Sequence, residues 1–171
     1  KDPSCRYLSE PLLFFKGFKS LQSHRVASWL WENSRHTLAH YFQSRTSEVY
    51  GVDIHPAAKL GKGIMIDHGT GVVIGETSVI EDNVSIFQGV TLGGTGKETG
   101  DRHPKVKEGV LLSASSTVLG NVQIGRNAKI AAGSVVLENV REGATVAGVP
   151  AKEVGQAADS VPADEIDHLI E

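Results

Sequence analysis

The sequence predicts a mainly β chain: a parallel β-helix of hexapeptide repeats preceded by a small α-helical segment. Three observations carry that prediction. An aliphatic residue recurs at every sixth position in three runs: Ile54, Leu60, Ile66; then Ile74, Ile80, Ile86, Leu92; then Val106, Leu112, Val118, Ile124, Ile130, Val136. Four residues after most of these stands a small or β-branched residue: Ala58, Thr70, Ser78, Val84, Val90, Ser116, Val122, Ala128, Ser134. Turn formers fill the intervals, as in Leu60-Gly61, Ile74-Gly75, Glu81-Asp82-Asn83 and Ile124-Gly125-Arg126-Asn127. A short fixed period means stacked coils, each burying its aliphatic residues against the next. A short strand and a tight turn every six residues wrap the chain into a triangular prism. About 18 residues then make one coil, and coils stack at roughly the 4.8 Å strand spacing.

The elements follow in order. Residues 1–50 form the helical segment. Ser9-Glu10-Pro11 reads as a helix start, because proline fits the first turn. Leu12, Phe15, Phe18, Val26, Trp29 and Leu30 recur near a 3.6-residue spacing, and Asn33-Ser34 ends that helix or helix pair. A further helix runs from about Arg35, with Leu38, Tyr41 and Phe42 on one face. This aromatic stripe is expected to pack against the repeat domain. Residues 51–155 form the β-helix. Its rhythm is broken by residues 93–105, a loop that leaves the stack and carries Asp101-Arg102-His103. The phase also slips by two residues at Val72-Val73, which predicts a bulge or widened corner near Asp67-His68. A stack of coils needs both ends covered. The helices cap one end, and Gly148-Val149-Pro150-Ala151 closes the other. Residues 156–171 are polar until Ile166, Leu169 and Ile170, and read as a flexible tail.

Composition narrows the classes. The chain has 171 residues, 40% hydrophobic and 22% charged, which suits one globular domain with a helical extension. A net charge of −3 and the lack of a basic stripe argue against a nucleic-acid partner. Cys5 is the single cysteine, so no internal disulfide framework can form. No apolar run approaches the roughly 18 residues of a membrane span, and no signal-peptide pattern is read. A cytoplasmic location is therefore expected. The chain opens on Lys1, inside what reads as folded sequence, so a piece of a longer protein is expected.

Five motifs in order sharpen the reading: Asp53-Ile54-His55-Pro56-Ala57-Ala58; Met65-Ile66-Asp67-His68-Gly69-Thr70-Gly71; Ile74-Gly75-Glu76-Thr77; Val90-Thr91-Leu92-Gly93-Gly94-Thr95-Gly96-Lys97; and Gly100-Asp101-Arg102-His103-Pro104-Lys105. Together they resemble the serine O-acetyltransferase family from about Asp2 to Gly155. The resemblance implies a left-handed parallel β-helix, an exception to the usual crossover hand. It also implies a homotrimer or a dimer of trimers, with sites in the clefts between prisms. Further helices before Asp2 are usual in the family, so residues 1–50 read as the end of a larger helical domain. The implied reaction moves acetyl from acetyl-CoA, a co-substrate, to L-serine, giving O-acetylserine for cysteine synthesis. L-cysteine is the implied feedback inhibitor. O-acetylserine sulfhydrylase is an implied partner through the C-terminal tail, although the family's tail ends in isoleucine and this one ends Ile170-Glu171. No tightly bound cofactor is expected.

The chemistry assigns roles. A serine hydroxyl must lose its proton as its oxygen attacks a thioester, and a histidine titrating near neutrality suits that task. His68 is read as the base, because Gly69-Thr70-Gly71 makes a flexible corner that lets its side chain leave the prism wall. Asp53 lies about one coil earlier. On residues alone it either caps a turn or orients His68, and the resemblance implies the orienting role. Arg102 can hold a carboxylate in bidentate fashion. By resemblance Asp67 and Asp2 bind the amino group, and His103 is a second active-site histidine reaching in from one subunit. For acetyl-CoA, the amides of Gly93-Gly94-Thr95 can face the thioester oxygen. Ala114 and Ala132 leave room for the pantetheine arm, and Lys129 and Lys152 are candidates for the nucleotide phosphates.

Rival readings were weighed. Gly94-Thr95-Gly96-Lys97 is not a phosphate loop, since the earlier glycine falls on Thr91 and Glu98 replaces Ser/Thr. A zinc site is disfavoured because His55, His68 and His103 are widely spaced, and His36 with His40, one helical turn apart, read as surface or core residues. No metal is assigned. An acetyltransferase acting on a sugar or drug hydroxyl shares the fold, but Asp67-His68 and Asp101-Arg102-His103 better fit an amino-acid zwitterion. A non-catalytic scaffold is the third rival.

Overall fold

The computed structural model describes residues 5–156, 161–166 and 168. Three helices come first: α1 (Glu10–Phe14), α2 (Lys16–Glu32) and α3 (His36–Tyr50). Strands then follow in short pieces: β1 (Val52–Ile54), β2 (Lys59–Leu60), β3 (Met65–Ile66), β4 (Val72–Ile74), β5 (Val79–Ile80), β6 (Ser85–Ile86), β7 (Thr91–Gly93), β8 (Lys105–Val106), β9 (Leu111–Leu112), β10 (Thr117–Leu119), β11 (Gln123–Ile124), β12 (Lys129–Ile130), β13 (Val135–Val136), β14 (Ala144–Gly148) and β15 (Ala151–Gln156). A short helix, α4 (Pro162–Glu165), closes the described chain.

The strands sort into three parallel sheets, the faces of a prism. The first face is β1-β4-β7-β10-β13, the second β2-β5-β8-β11, and the third β3-β6-β9-β12-β14. β15 adds antiparallel to β14 and finishes the far end. Register shows the period. Leu92 lies on Ile74, 18 positions apart, and Val136 lies on Val118, again 18. The first coil is longer, since Ile74 lies on Ile54, 20 positions apart. The two extra residues sit in the corner 67–71, where the phase slip predicted them. Across the insert the step is 26, from Leu92 to Val118 and from Ile80 to Val106.

The buried core is the hexad positions themselves. Of the thirteen aliphatic positions, all but Leu60 are buried. Each buried Ile, Leu or Val contributes about 1.5–3 kcal/mol of transfer free energy, so the repeat is the main source of stability. The corners form hydrogen-bonded ladders of their own. On one edge Gly89 N donates to Thr70 O (2.9 Å), Ser115 N to Gln88 O (2.8 Å) and Gly133 N to Ala114 O (2.9 Å).

The helices correct one expectation. The aromatic stripe packs only in part: Leu30 is buried and Phe15 and Phe18 are half-buried, whereas Trp29 and Tyr41 are 58 and 59% exposed and Leu12 and Val26 also face outward. The buried residues of α2 are Gly17, Ser20, Leu21, His24, Ala27 and Leu30, and of these Gly17, Leu21 and His24 meet the repeat. Gly17 serves there because the helix lies very close to β3. A Cβ on Gly17 would stand 1.9 Å from the Ile66 carbonyl oxygen. Arg25 Nη1 donates to Leu60 O (2.6 Å) and its Nη2 to Gly61 O, fixing α2 to the first coil.

The tail also differs from expectation where it is described. α4 lies on the third face, with Ser85 Oγ donating to Ala163 O (2.7 Å). His168 stacks edge-on against Phe87, ring centroids 4.5 Å apart.

Candidate active site

The candidate residues occupy two edges of one prism. The third–first edge holds Asp67 and His68, in the widened corner after β3. His68 takes φ 53°, a left-handed conformation uncommon for a side-chain-bearing residue, between an Asp and a Gly-rich turn. Its amide donates to Asp67 Oδ1 (2.9 Å), and its Nε2 lies 3.7 Å from Asp67 Oδ2. The His68 side chain is 74% exposed. Lys16 Nζ donates to Thr70 Oγ1 and ties the start of α2 to this corner. Ala114 and Ala132 lie along the same edge in later coils, after β9 and β12. A groove of about 820 Å³ between the helices and the prism opens onto Asp67 and His68, with Phe15, Phe18 and Ile66 among its walls.

The first–second edge holds the rest. After β7 the chain leaves the prism as residues 94–104. Hydrogen bonds within the described chain leave the amides of Gly94 and Thr95 unused, so both can meet a ligand oxygen. The loop returns through Arg102 and His103, and Thr77 anchors that return. Its Oγ1 accepts from Arg102 N (3.0 Å) and His103 N (3.1 Å). Lys105 Nζ donates to Thr77 O and His103 O, each at 2.8 Å, and pairs with Asp101. That lysine holds the Asp101 carboxyl below the usual range. Arg102 Nη2 meets Glu76 Oε2 at 2.7 Å, which lowers the Glu76 pKa. Burial, aided by the Arg102 charge, holds the His103 imidazole below its ordinary pKa, against the opposing pull of Glu76.

Among the described residues no hydrogen bond or ion pair joins Asp53 to His68. Asp53 lies on the first face beside Val73, and its Oδ1 accepts from Gln43 Nε2 (2.7 Å). Gln43 Oε1 in turn meets His40 Nδ1 at 3.1 Å. His40 and His55 both pack edge-on against Trp31, where burial lowers the His55 pKa. Lys129 needs correction as a phosphate ligand. It is only 7% exposed, set in β12 on the third face. Lys152 is exposed on β15. Asp2 lies outside the described residues.

With this geometry in view, comparison with known proteins is informative. A family model described as serine acetyltransferase, N-terminal, matches residues 1–23, and one described as bacterial transferase hexapeptide (six repeats) matches residues 103–138. The serine acetyltransferase of Salmonella typhimurium is 54% identical over 167 residues, 98% of this chain and 61% of that protein. The chain belongs to the serine acetyltransferase family. A solved serine acetyltransferase in complex with cysteine superposes with a TM-score of 0.97 at 55% identity, covering 100% of this chain and 66% of that one. The Brucella abortus serine acetyltransferase in complex with coenzyme A gives 0.92 at 54% identity, covering 94% and 64%. The chain thus spans about three fifths of the curated serine acetyltransferase it matches.

Sequence reasoning passed over Glu76 and Thr77 as site residues, although both stand in a motif quoted for the family. The signal was the register. Across the insert the coil step is 26, as Ile80 on Val106 shows, and Thr77 plus 26 is His103.

Proposed function

We propose that this chain carries the acyl-transfer site of a serine O-acetyltransferase, moving acetyl from acetyl-CoA to the hydroxyl of L-serine. One observation carries the reading: the base candidate His68 and the pair Arg102–His103 stand on different edges of the same prism. A substrate touching both groups requires a second chain, laid so that one prism's third–first edge faces its neighbour's first–second edge. A closed homotrimer satisfies this with every site alike.

In that cleft His68 takes the hydroxyl proton as the serine oxygen attacks the thioester carbon. The resulting oxyanion lies by the amides of Gly94 and Thr95. When the C–S bond breaks, the protonated imidazole returns the proton to the departing thiolate of CoA. Arg102 receives the serine carboxylate, and Asp67 and Asp2 receive its ammonium. Asp53, whose Oδ1 accepts from Gln43, orients the His68 imidazole through its other oxygen. Ala114 and Ala132, on the His68 edge, allow the pantetheine arm close passage. Direct attack in a ternary complex suits a chain whose one thiol, Cys5, lies before the helices. Positioning two substrates in line supplies up to ~7–11 kcal/mol, more than the ~10²–10⁴-fold of a general base. The relative solved with cysteine supports that amino acid as an inhibitor at the serine subsite.

The test is thiol release from acetyl-CoA with L-serine, compared with galactosides, chloramphenicol and no acceptor. L-serine alone should support turnover. His68→Ala should lower kcat by ~10²–10⁴ with the circular-dichroism spectrum unchanged. Wild-type turnover by that variant removes His68 from the role.

A further inference from the structure

We infer that His103 is held as a neutral imidazole whose proton sits on Nε2, and that Thr77 is the positioning residue that imposes this tautomer. In the acyl-transfer site proposed above, on which this inference rests, His103 then acts as a hydrogen-bond donor to the thioester oxygen. It is not a second base.

One bond fixes the tautomer, and a second contact supports it. The backbone N–H of Thr77 points at His103 Nδ1 (3.2 Å), so Nδ1 must accept. Thr77 Oγ1 also lies 2.9 Å from Nδ1. That oxygen already accepts from Arg102 N and His103 N, which uses both of its lone pairs. Its remaining capacity is its own proton, for which Nδ1 and the Asp101 carboxylate compete, so the Thr77 N–H carries the assignment and the hydroxyl supports it. A neutral imidazole that accepts at Nδ1 carries hydrogen at Nε2. No hydrogen bond among the described residues uses Nε2.

The ring's seat agrees. His103 is 7% exposed and lies flat on Gly75, where a Cβ would fall 2.0 Å from Cδ2 and 2.1 Å from Nε2. Protonating Nδ1 would set two hydrogens against each other at Thr77 N. The charged groups around the ring are Glu76, which favours the cation, and Arg102 and Lys105, which oppose it, with Asp101 further out. Burial sides with the last two cations. A neutral N–H donor polarises a carbonyl without taking a proton from the reaction, a known division of labour beside a separate base.

The test is nuclear magnetic resonance of the full chain labelled with ¹³C and ¹⁵N at histidine, with His103 assigned by its loss in His103→Gln. At neutral pH the wild-type His103 should show a protonated Nε2 and an unprotonated Nδ1. Thr77→Val, which keeps the backbone N–H and removes only the hydroxyl, should keep Nε2–H as the main tautomer while shifting the Nδ1 resonance, and Thr77→Ser should restore the wild-type pattern. In turnover, His103→Gln, whose amide nitrogen reaches the Nε2 position, should keep more kcat than His103→Asn, whose amide reaches only Nδ1. A wild-type ring carrying hydrogen on Nδ1, or on both nitrogens, overturns the inference. So does Asn outperforming Gln. The tautomer is read without turnover, so a chain inactive toward serine would refute the function while leaving this measurement intact.

Discussion

Replacing Gly75 by alanine perturbs the seating of one imidazole and little else. Gly75 does not use a left-handed backbone conformation, so alanine can adopt its geometry. Its amide bond to Leu92 O (3.0 Å) and its carbonyl bond from Ser78 N (3.1 Å) survive the change. The new Cβ, however, would stand 2.0 Å from His103 Cδ2, whereas ordinary contact begins at 3.4 Å. The ring must therefore retreat by about 1.4 Å, the difference of those two distances. Misplacing a reacting group by ~1 Å can cost ~10²-fold, so kcat with serine should fall by about two orders of magnitude. Stability should fall by no more than ~1–3 kcal/mol, the usual cost of overpacking. The assay is thiol release from acetyl-CoA at saturating serine, paired with a thermal melt. A double-mutant cycle gives the decisive control. On a His103→Ala background there is no ring to displace, so Gly75→Ala should then change kcat by less than about threefold. Wild-type turnover by Gly75→Ala, or an equal loss on both backgrounds, refutes the reasoning.

Two further outcomes are expected. Arg102→Ala should raise the apparent KM for serine by ~10–10²-fold, the worth of a hydrogen-bonded charge contact, and an unchanged KM contradicts the carboxylate role. His24 should make the fold acid-sensitive. Burial lowers its pKa from 6.5 to about 4, and its Nδ1 has no partner. The unfolded chain then binds this proton at higher pH than the folded chain does. The stabilising difference is fully present above pH 6.5 and is lost as pH falls toward 4. The full loss is about 3 kcal/mol, from roughly 1.4 kcal/mol per pH unit. Urea melts at a series of pH values should show this slope in the wild type and a flatter one in His24→Gln. Identical slopes contradict the assignment.

The prism was legible because its driving force is periodic. A buried Ile86, Leu112 or Ile130 is announced by its six-residue spacing, and no distant information is needed. The widened corner at His68 was legible for the same reason, since two extra residues shift every later position. The docking of α2 was not. Large apolar residues suggested a packed stripe, yet close approach to β3 selects Gly17, and Ser20 and Ala27 are buried on α2 while Trp29 faces outward. A row of small residues at helical spacing was the available signal. His68 and Arg102 were legible by chemistry and motif, but their separation onto two edges follows only from counting strands per coil. Lys129 reads as a surface cation in any local window, yet in β12 it is only 7% exposed.

The central claim is that each site is built from two chains. Mixing subunits tests it most directly. His68→Ala and His103→Ala, each strongly impaired alone, are denatured together in equal amounts and refolded. If a trimer forms with His68 of one chain facing His103 of the next, three quarters of the trimers are mixed and each regains one intact site of three, so about a quarter of wild-type activity should return. If both histidines serve within a single chain, no mixture contains an intact site, and activity stays at the level of the separate variants.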